Sequence, residues 1–282
     1  MSCQQDRSID QLKAEHHQWK QNRLDRLKEP TGWLNLAGLY WLEAGENSLG
    51  SDSINSIVFP EKAPDFIGTL TLTDSTLMFT NALGESLTVN DNPIEKITLT
   101  PDASGKPDQV KHGDFGWYII KRGDQYGIRL RDFDSPLIEN LDSIPAYPFS
   151  TEWIMEADFV PLDSPMAVTV PTIIGVDEEY TANGMLEFSV KGEKYTLFPF
   201  ESGNGLFIIF GDETSAVETY GAGRFLYTEK PNWRNKVTID FNRAYNPPCA
   251  FTPYATCPLP PGENMLDLAV RAGEKDVHLY EH

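Results

Sequence analysis

Apolar positions near the start of the chain recur at helical spacing. Ile9, Leu12, Trp19, Leu24 and Leu27 fall close to a 3.6-residue period. Ser8, with Gln11 three residues on, reads as a capping box, and Pro30 ends the run. The pattern predicts one amphipathic helix of about five turns, the only long helical pattern in the chain. From Thr31 the period becomes two. Leu70 and Leu72 alternate with threonines, Leu87 and Val89 with Ser86 and Thr88, and Ile97 and Leu99 with Lys96 and Thr98. Such alternation marks half-buried antiparallel strands. Residues 117–121 and 126–131 flank 122–125 as a hairpin, so Arg122-Gly123-Asp124 reads as a turn and not as an adhesion motif. Residues 134–148, richer in proline and polar groups, predict an inter-domain connection.

Strands resume at 153–160 and 167–174. Leu186, Phe188 and Val190 face Tyr195 and Leu197 across a turn at 191–193, and Asn204-Gly205 turns the chain into the apolar run 206–210. Val237, Ile239 and Phe241 read as one strand face, and Leu266, Leu268 and Val270 as another. No fixed-period repeat occurs, which disfavours propellers and solenoids. The predicted fold is mainly β: an N-terminal helix followed by two antiparallel β modules, sandwich- or barrel-like. The predicted divisions are a tether and helix at 1–30, a first module at 31–140 and a second at 141–282.

Charge and composition then exclude classes of function. Among 282 residues, 42 are Asp or Glu and 23 are Lys or Arg, a formal net charge of -19. A chain of that sign is repelled by phosphate backbones and anionic headgroups, so no nucleic-acid partner is expected. The longest apolar run, 206–210, falls far short of the roughly 20 residues a spanning helix needs, and no transmembrane span is predicted. The three cysteines, Cys3, Cys249 and Cys257, are too few to frame a disulfide scaffold. Ser2-Cys3-Gln4-Gln5 looks like the first residues of a mature bacterial lipoprotein, which points to the cell envelope; an exposed cysteine on a cytoplasmic protein is the alternative. The five histidines form no cluster with zinc spacing. There is no Gly-x-Ser-x-Gly elbow and no phosphate-binding loop, and Gly221-Ala222-Gly223 lacks both a third glycine and a βαβ setting. No metal and no cofactor is expected.

One segment differs from the rest. Six of the fifteen residues at 247–261 are proline, which forbids helix and central strand there. Phe251, Tyr254 and two cysteines in the same stretch predict an ordered, extended loop pinned by buried rings. Cys249 and Cys257 can be a disulfide, buried small hydrophobes or, with no histidine nearby in sequence, a poorly activated nucleophile. Upstream, Asp240 and Asn242 point away from the Val237-Ile239-Phe241 face. The candidate site gathers Arg129, Tyr220, Arg224, Asp240, Asn242, Arg243, Tyr245, Asn246 and Tyr254. Arginines among tyrosines and asparagines suit a carboxylate, a phosphate or a sugar acid, so a small anionic molecule is the expected ligand, bound in the C-terminal module. The competing reading is a non-enzymatic cell-envelope binding or assembly module, with Arg129 and Arg243 as structural partners of Asp132 and Asp240. An open hollow holding Arg224 and Arg243 favours the first; buried guanidinium groups saturated by carboxylates favour the second.

Several stretches carry a resemblance. Residues 32–34 through 41–42, 45–51, Tyr126-Gly127-Ile128-Arg129-Leu130-Arg131-Asp132, 219–226 and 240–261 resemble the bacterial and archaeal family catalogued as domain of unknown function 1684. That family implies no assigned activity, and its many envelope lipoproteins agree with the Cys3 reading. Residues 45–92 are also similar in shape to the forkhead-associated β-sandwich. Leu49 stands where that family carries an arginine before the glycine, and no Ser-x-x-His follows, so this resemblance implies a fold and not phosphopeptide binding.

Overall fold

The computed structural model describes residues 7–279; Cys3 and His282 lie outside them. The fold is mainly β, with an N-terminal helix and several antiparallel sheets, none closed into a barrel. The chain divides into two compact units, Lys28–Asn140 on one side of the division and Met1–Leu27 with Leu141–His282 on the other.

The Lys28–Asn140 unit is a β-sandwich. One sheet runs Ile57–Val58, Gly45–Gly50, Gly68–Thr73, Thr76–Asn81, Lys96–Thr98; the other runs Leu36–Trp41, Gln125–Asp132, Phe115–Arg122, Val110–His112, Thr88–Val89, Asn92–Pro93. Inward residues of both sheets meet in one core that includes Leu70, Phe79, Trp117, Ile128 and Leu130. Phe79 and Trp117 pack edge to face at 5.3 Å between centroids. The 115–132 hairpin has the turn expected from its sequence, and its register pairs Gly116 with Arg131 and Tyr118 with Arg129. Because Trp117, Ile128 and Leu130 face the core, Gly116, Tyr118, Arg129 and Arg131 all belong to the opposite face.

In the second unit, one sheet runs Glu193–Leu197, Glu178–Val190, Ile154–Val170, Lys236–Asp240. The other holds Phe200–Ser202, Gly205–Asp212 and Arg224–Glu229, with Met265–Leu266 paired in parallel to Gly205–Asp212. Ala157, Leu186, Ile208, Phe210, Leu226, Ile239 and Phe241 fill the space they enclose. The two strands expected at 153–160 and 167–174 are one long strand, Ile154–Val170, whose register shifts between Pro161 and Met166. The strand expected through Leu266, Leu268 and Val270 shrinks to Met265–Leu266. The carbonyls beyond it have other partners, as described below.

The helix spans Ile9–Lys28. Its capping box forms as the sequence requires: Ser8 N donates to Gln11 Oε1 at 2.8 Å and Gln11 N to Ser8 Oγ at 3.2 Å. The packed stripe is more polar than the apolar spacing suggested. Ile9, in the first turn, is exposed, and the buried positions are His16 and Leu27, with Arg23 between them largely covered. In the same unit, Cys249 and Cys257 form a disulfide, with Cα atoms 6.2 Å apart. It closes the proline-rich loop around the fully buried Phe251, so the disulfide is the reading of these cysteines that holds.

Candidate functional site

The residues expected to bind a ligand are spread over both units. In the C-terminal unit the centre is Arg224, which starts the strand Arg224–Glu229. Gly223 precedes it at φ +80°, where an added Cβ would lie 2.4 Å from the Pro260 ring and 2.6 Å from the Phe210 carbonyl oxygen. Only glycine fits that approach. The turn sends the Arg224 side chain inward, 1% exposed. Its Nη2 donates to Asp212 Oδ2 at 2.6 Å and to the Val270 carbonyl at 2.9 Å, and its Nη1 to the carbonyls of Ala272 and Glu274. Asp212 is equally buried, and its other oxygen accepts from Thr214 N at 2.8 Å and from the Thr214 hydroxyl. Burial lowers the affinity of Arg224 for its proton, and Asp212 opposes that shift. This guanidinium is buried and its charge is answered by Asp212.

The neighbouring candidates are also occupied. Asn242 holds Ser150 through two hydrogen bonds of 2.9 Å and donates to Asp240 Oδ1 at 2.8 Å. Arg243, partly exposed, pairs with Asp240 at 3.3 Å and lies 3.9 Å from Glu15. Tyr245 is half-buried against Phe225 and Tyr227, and burial raises its phenol above the usual range. Burial pushes the Tyr220 phenol up to about 12. Asn246 donates through Nδ2 to the Lys275 carbonyl at 2.8 Å. Tyr254 is half-buried in the proline-rich loop, where its backbone N–H donates to Thr252 Oγ1 at 3.2 Å.

Two further residues organise this region, and neither stood out in the sequence. Arg23 reaches from the helix to the Asn246 carbonyl at 2.8 Å, with its guanidinium 4.8 Å from the Tyr245 ring centroid and 5.4 Å from that of Phe251. Its ion-pair partner at 3.3 Å is Glu274, which is buried and also accepts from Asn246 N at 2.7 Å. Burial raises the Glu274 carboxyl, and Arg23 opposes the shift. Beside the helix lies a cleft of about 170 Å³ lined by His17, Lys20, Asp142, Ser143 and Glu274. Two of those groups are carboxylates, a poor setting for an anion.

Arg129 belongs to the other unit, on the strand Gln125–Asp132. Its expected partner Asp132 is instead bound by Lys62 at 2.6 Å. Two residues along on the same face is Arg131, only 7% exposed. Arg131 Nη1 donates to the Gly32 carbonyl and, at 2.6 Å, to Asn35 Oδ1. The segment carrying Gly32 and Asn35 thus covers a position that alternation alone would leave in solvent. The Tyr118 ring centroid is 5.8 Å from the Arg131 guanidinium. The groups acting on Arg131 are burial, which disfavours its charge, Tyr118, which supports it, and Arg129, which repels it. Among the described residues no carboxylate pairs with it. Arg131 lines a concave pocket of about 500 Å³ with Asp102, Lys111, Gln109, Tyr118 and Phe133. The signal for Arg131 was present in Ile128-Arg129-Leu130-Arg131, where the same alternation that picks out Arg129 picks out Arg131.

Among the described residues no group of three or more His, Cys, Asp or Glu side chains is arranged to hold a metal ion, and no helix is long and apolar enough to cross a membrane.

Solved structures similar to this chain include an uncharacterized protein of Haloarcula marismortui determined by solution NMR. It is 27% identical, covering 50% of this chain and 80% of its own, at a TM-score of 0.42. The FhaA FHA domain, in complex with the intracellular domain of Rv3910, is 14% identical over 33% of this chain and 97% of its own, at a TM-score of 0.24. Mycobacterium tuberculosis EmbR, in complex with a low-affinity phosphopeptide, is 14% identical over 46% of this chain and 33% of its own, at a TM-score of 0.24. No curated protein matches the chain. Of the stretches that resemble domain of unknown function 1684, 32–51 and 126–132 lie outside the matched part. The match is carried by residues 139–275, which include 219–226 and 240–261 and fit the family described as "Protein of unknown function (DUF1684)".

Proposed function

We propose that the protein binds a small anionic ligand, and that the ligand's charge is received by Arg131 in the Lys28–Asn140 unit and not by the arginines of the C-terminal unit. One observation carries this reading: Arg131 is buried, always charged, and held by neutral acceptors only. A buried ion without a counter-charge is costly by several kcal/mol, and arginine cannot escape that cost by losing its proton. In a chain of net charge -19, a buried cation beside a second arginine and an open pocket is a place where an anion lowers the energy. Lys111 at the pocket wall is tied to Asp91 at 2.8 Å, and Asp102 is tied to Arg122 at 2.8 Å. Arg131 is therefore the uncompensated charge of the lining.

For the C-terminal unit the same argument supports the second reading, a non-enzymatic binding or assembly module whose Arg224–Asp212 and Arg23–Glu274 pairs are architectural. Arg224→Ala then lowers the melting temperature sharply and leaves any anion response intact.

The test is calorimetric titration of the protein with inorganic phosphate, sulfate and acetate, alongside thermal shift. Saturation at a hundredfold excess over Kd stabilises by about 2.7 kcal/mol. Arg131→Gln abolishes that response. If Arg131→Gln lowers stability while the anion response stays as in the wild type, Arg131 is only a tie between the sheet and the Gly32–Asn35 segment, and the reading is wrong.

A further inference from the structure

The pocket at Arg131 is far larger than an inorganic anion. Its volume of about 500 Å³ lies within the range of about 300–1,000 Å³ typical of sites that enclose organic molecules. Its walls combine polar groups, Thr31, Asp102, Gln109, Lys111 and Arg131, with a set of rings, Pro30, Pro107, Tyr118 and Phe133. The Phe133 ring is placed by a glycine. A Cβ on Gly116 would lie 2.6 Å from that ring, so the missing side chain lets the ring close over the strand. The backbone of Phe133 is anchored through a 2.8 Å bond from its N–H to the Asp114 carbonyl. Proline rings lose no side-chain rotamer freedom on burying a ligand, and a phenylalanine loses little. The rings reward flat apolar surface, which a small inorganic ion does not offer.

We propose that the ligand is an amphipathic anion, a carboxylate or phosphate ester carried on a single aromatic or similarly flat apolar ring. The charged end meets Arg131 and Gln109, and the ring lies among Phe133, Tyr118, Pro107 and Pro30. This inference rests on the reading that Arg131 receives the anion, and adds to it the chemistry of the body that carries the charge. Tyr118 joins the two parts of the pocket: its ring centroid is 5.8 Å from the Arg131 guanidinium, and it lines the same pocket as Phe133, Pro107 and Pro30. Phe133 is half-buried and lies outside the central packing of its unit, so it can be shortened without opening the core.

The experiment compares two matched pairs of probes, acetate with benzoate and inorganic phosphate with phenyl phosphate, by calorimetry on the full chain. The expected result is that each ring-bearing probe binds at least tenfold more tightly than its small counterpart. Phe133→Ala should remove most of that ratio while leaving the affinity for inorganic phosphate within about twofold; Arg131→Gln should remove binding of all four. Equal affinity within each pair overturns the ring-bearing ligand and leaves anion binding standing. No binding of any probe overturns both. A preference for the ring that survives in Phe133→Ala and in Pro107→Ala places the ring elsewhere and also overturns the inference. If Phe133→Ala does not fold, saturation-transfer NMR on the wild-type protein replaces it: benzoate ring protons should receive magnetisation from the Phe133 and Tyr118 rings, and its absence has the same meaning.

Discussion

Arg224 and Arg131 are both buried, both begin from a β-strand, and both donate to backbone carbonyls of a segment distant in sequence. They differ in what answers the charge. Around Arg224 the chain supplies Asp212 and three carbonyl oxygens, so the desolvation cost is offset inside the fold. Around Arg131 it supplies a carbonyl, an amide oxygen and a tyrosine ring, and then a second arginine that works against it. The first arrangement is complete without a ligand. The second becomes complete when an anion arrives. Residue type and burial alone do not separate a structural arginine from a binding one; the local charge balance does.

The sharpest way to break this comparison is to remove each guanidinium in turn. Arg224→Met leaves Asp212 buried and unpaired and frees the carbonyls of Val270, Ala272 and Glu274, at a cost of about 3–5 kcal/mol, or roughly 10 °C in melting temperature. Adding Asp212→Asn should return part of that loss, because the orphaned negative charge goes with it. Arg131→Gln should have a much smaller effect: losing an uncompensated buried charge together with its bonds to Gly32 and Asn35 changes stability by about 1 kcal/mol or less, in either direction, measured by denaturant unfolding without added anion. A loss at Arg131 equal to that at Arg224 would mean that both are structural.

A smaller effect is expected at the disulfide, which sharpens the view of the C-terminal unit as closed by its own contacts. Cys249 and Cys257 bracket Phe251, and Phe251 is one of the rings stacked on Arg23. Cys257→Ser removes a short cross-link worth about 2–3 kcal/mol. Thermal unfolding with and without a reductant should show this loss in the wild type and no further change in the variant. A wild type indifferent to the reductant would show that the loop is held by packing alone.

Much of the fold was legible because burial on one face writes itself as alternation. The 115–132 and 178–197 hairpins follow directly from their apolar positions, and Ser8 with Gln11 announces the helix. Where the reading failed, a side chain had taken over a role normally played by backbone. The apolar alternation at Leu266, Leu268 and Val270 suggests a strand, yet the Val270 and Ala272 carbonyls bond to Arg224, so no neighbouring strand pairs there. The apolar spacing of the helix suggests an apolar stripe, yet Arg23 and His16 fill its packed face because Glu274, Tyr245 and Phe149 await them from more than a hundred positions away. Such partners leave no local pattern. The candidate site was legible as a set of arginines but not as a place: charge compensation depends on Asp212 and Glu274, whose neighbours are set only by the fold, and on the 32–35 segment that covers Arg131.

The smallest effect concerns His16, which meets the same difficulty as Arg131 with a different escape. His16 is 8% exposed, packed between Trp19 and Phe149, and its Nδ1 has no hydrogen-bond partner among the described residues. Burial lowers its pKa from 6.5; Asp240 pulls the other way, while Lys20, Arg243 and His17 reinforce the shift. Unlike arginine, histidine can shed its charge, and burial favours the neutral ring in the native state. The unfolded chain takes up a proton near pH 6.5 that the native chain resists. The resulting stability is complete above that pH and is lost as pH falls through the lower native value. His16→Phe keeps a ring in the same packing and removes the proton. Its melting temperature should therefore fall less than that of the wild type between pH 8 and pH 5. An unchanged difference would mean that a charge is tolerated in that position without a counter-ion, and the argument that Arg131 needs one would weaken with it.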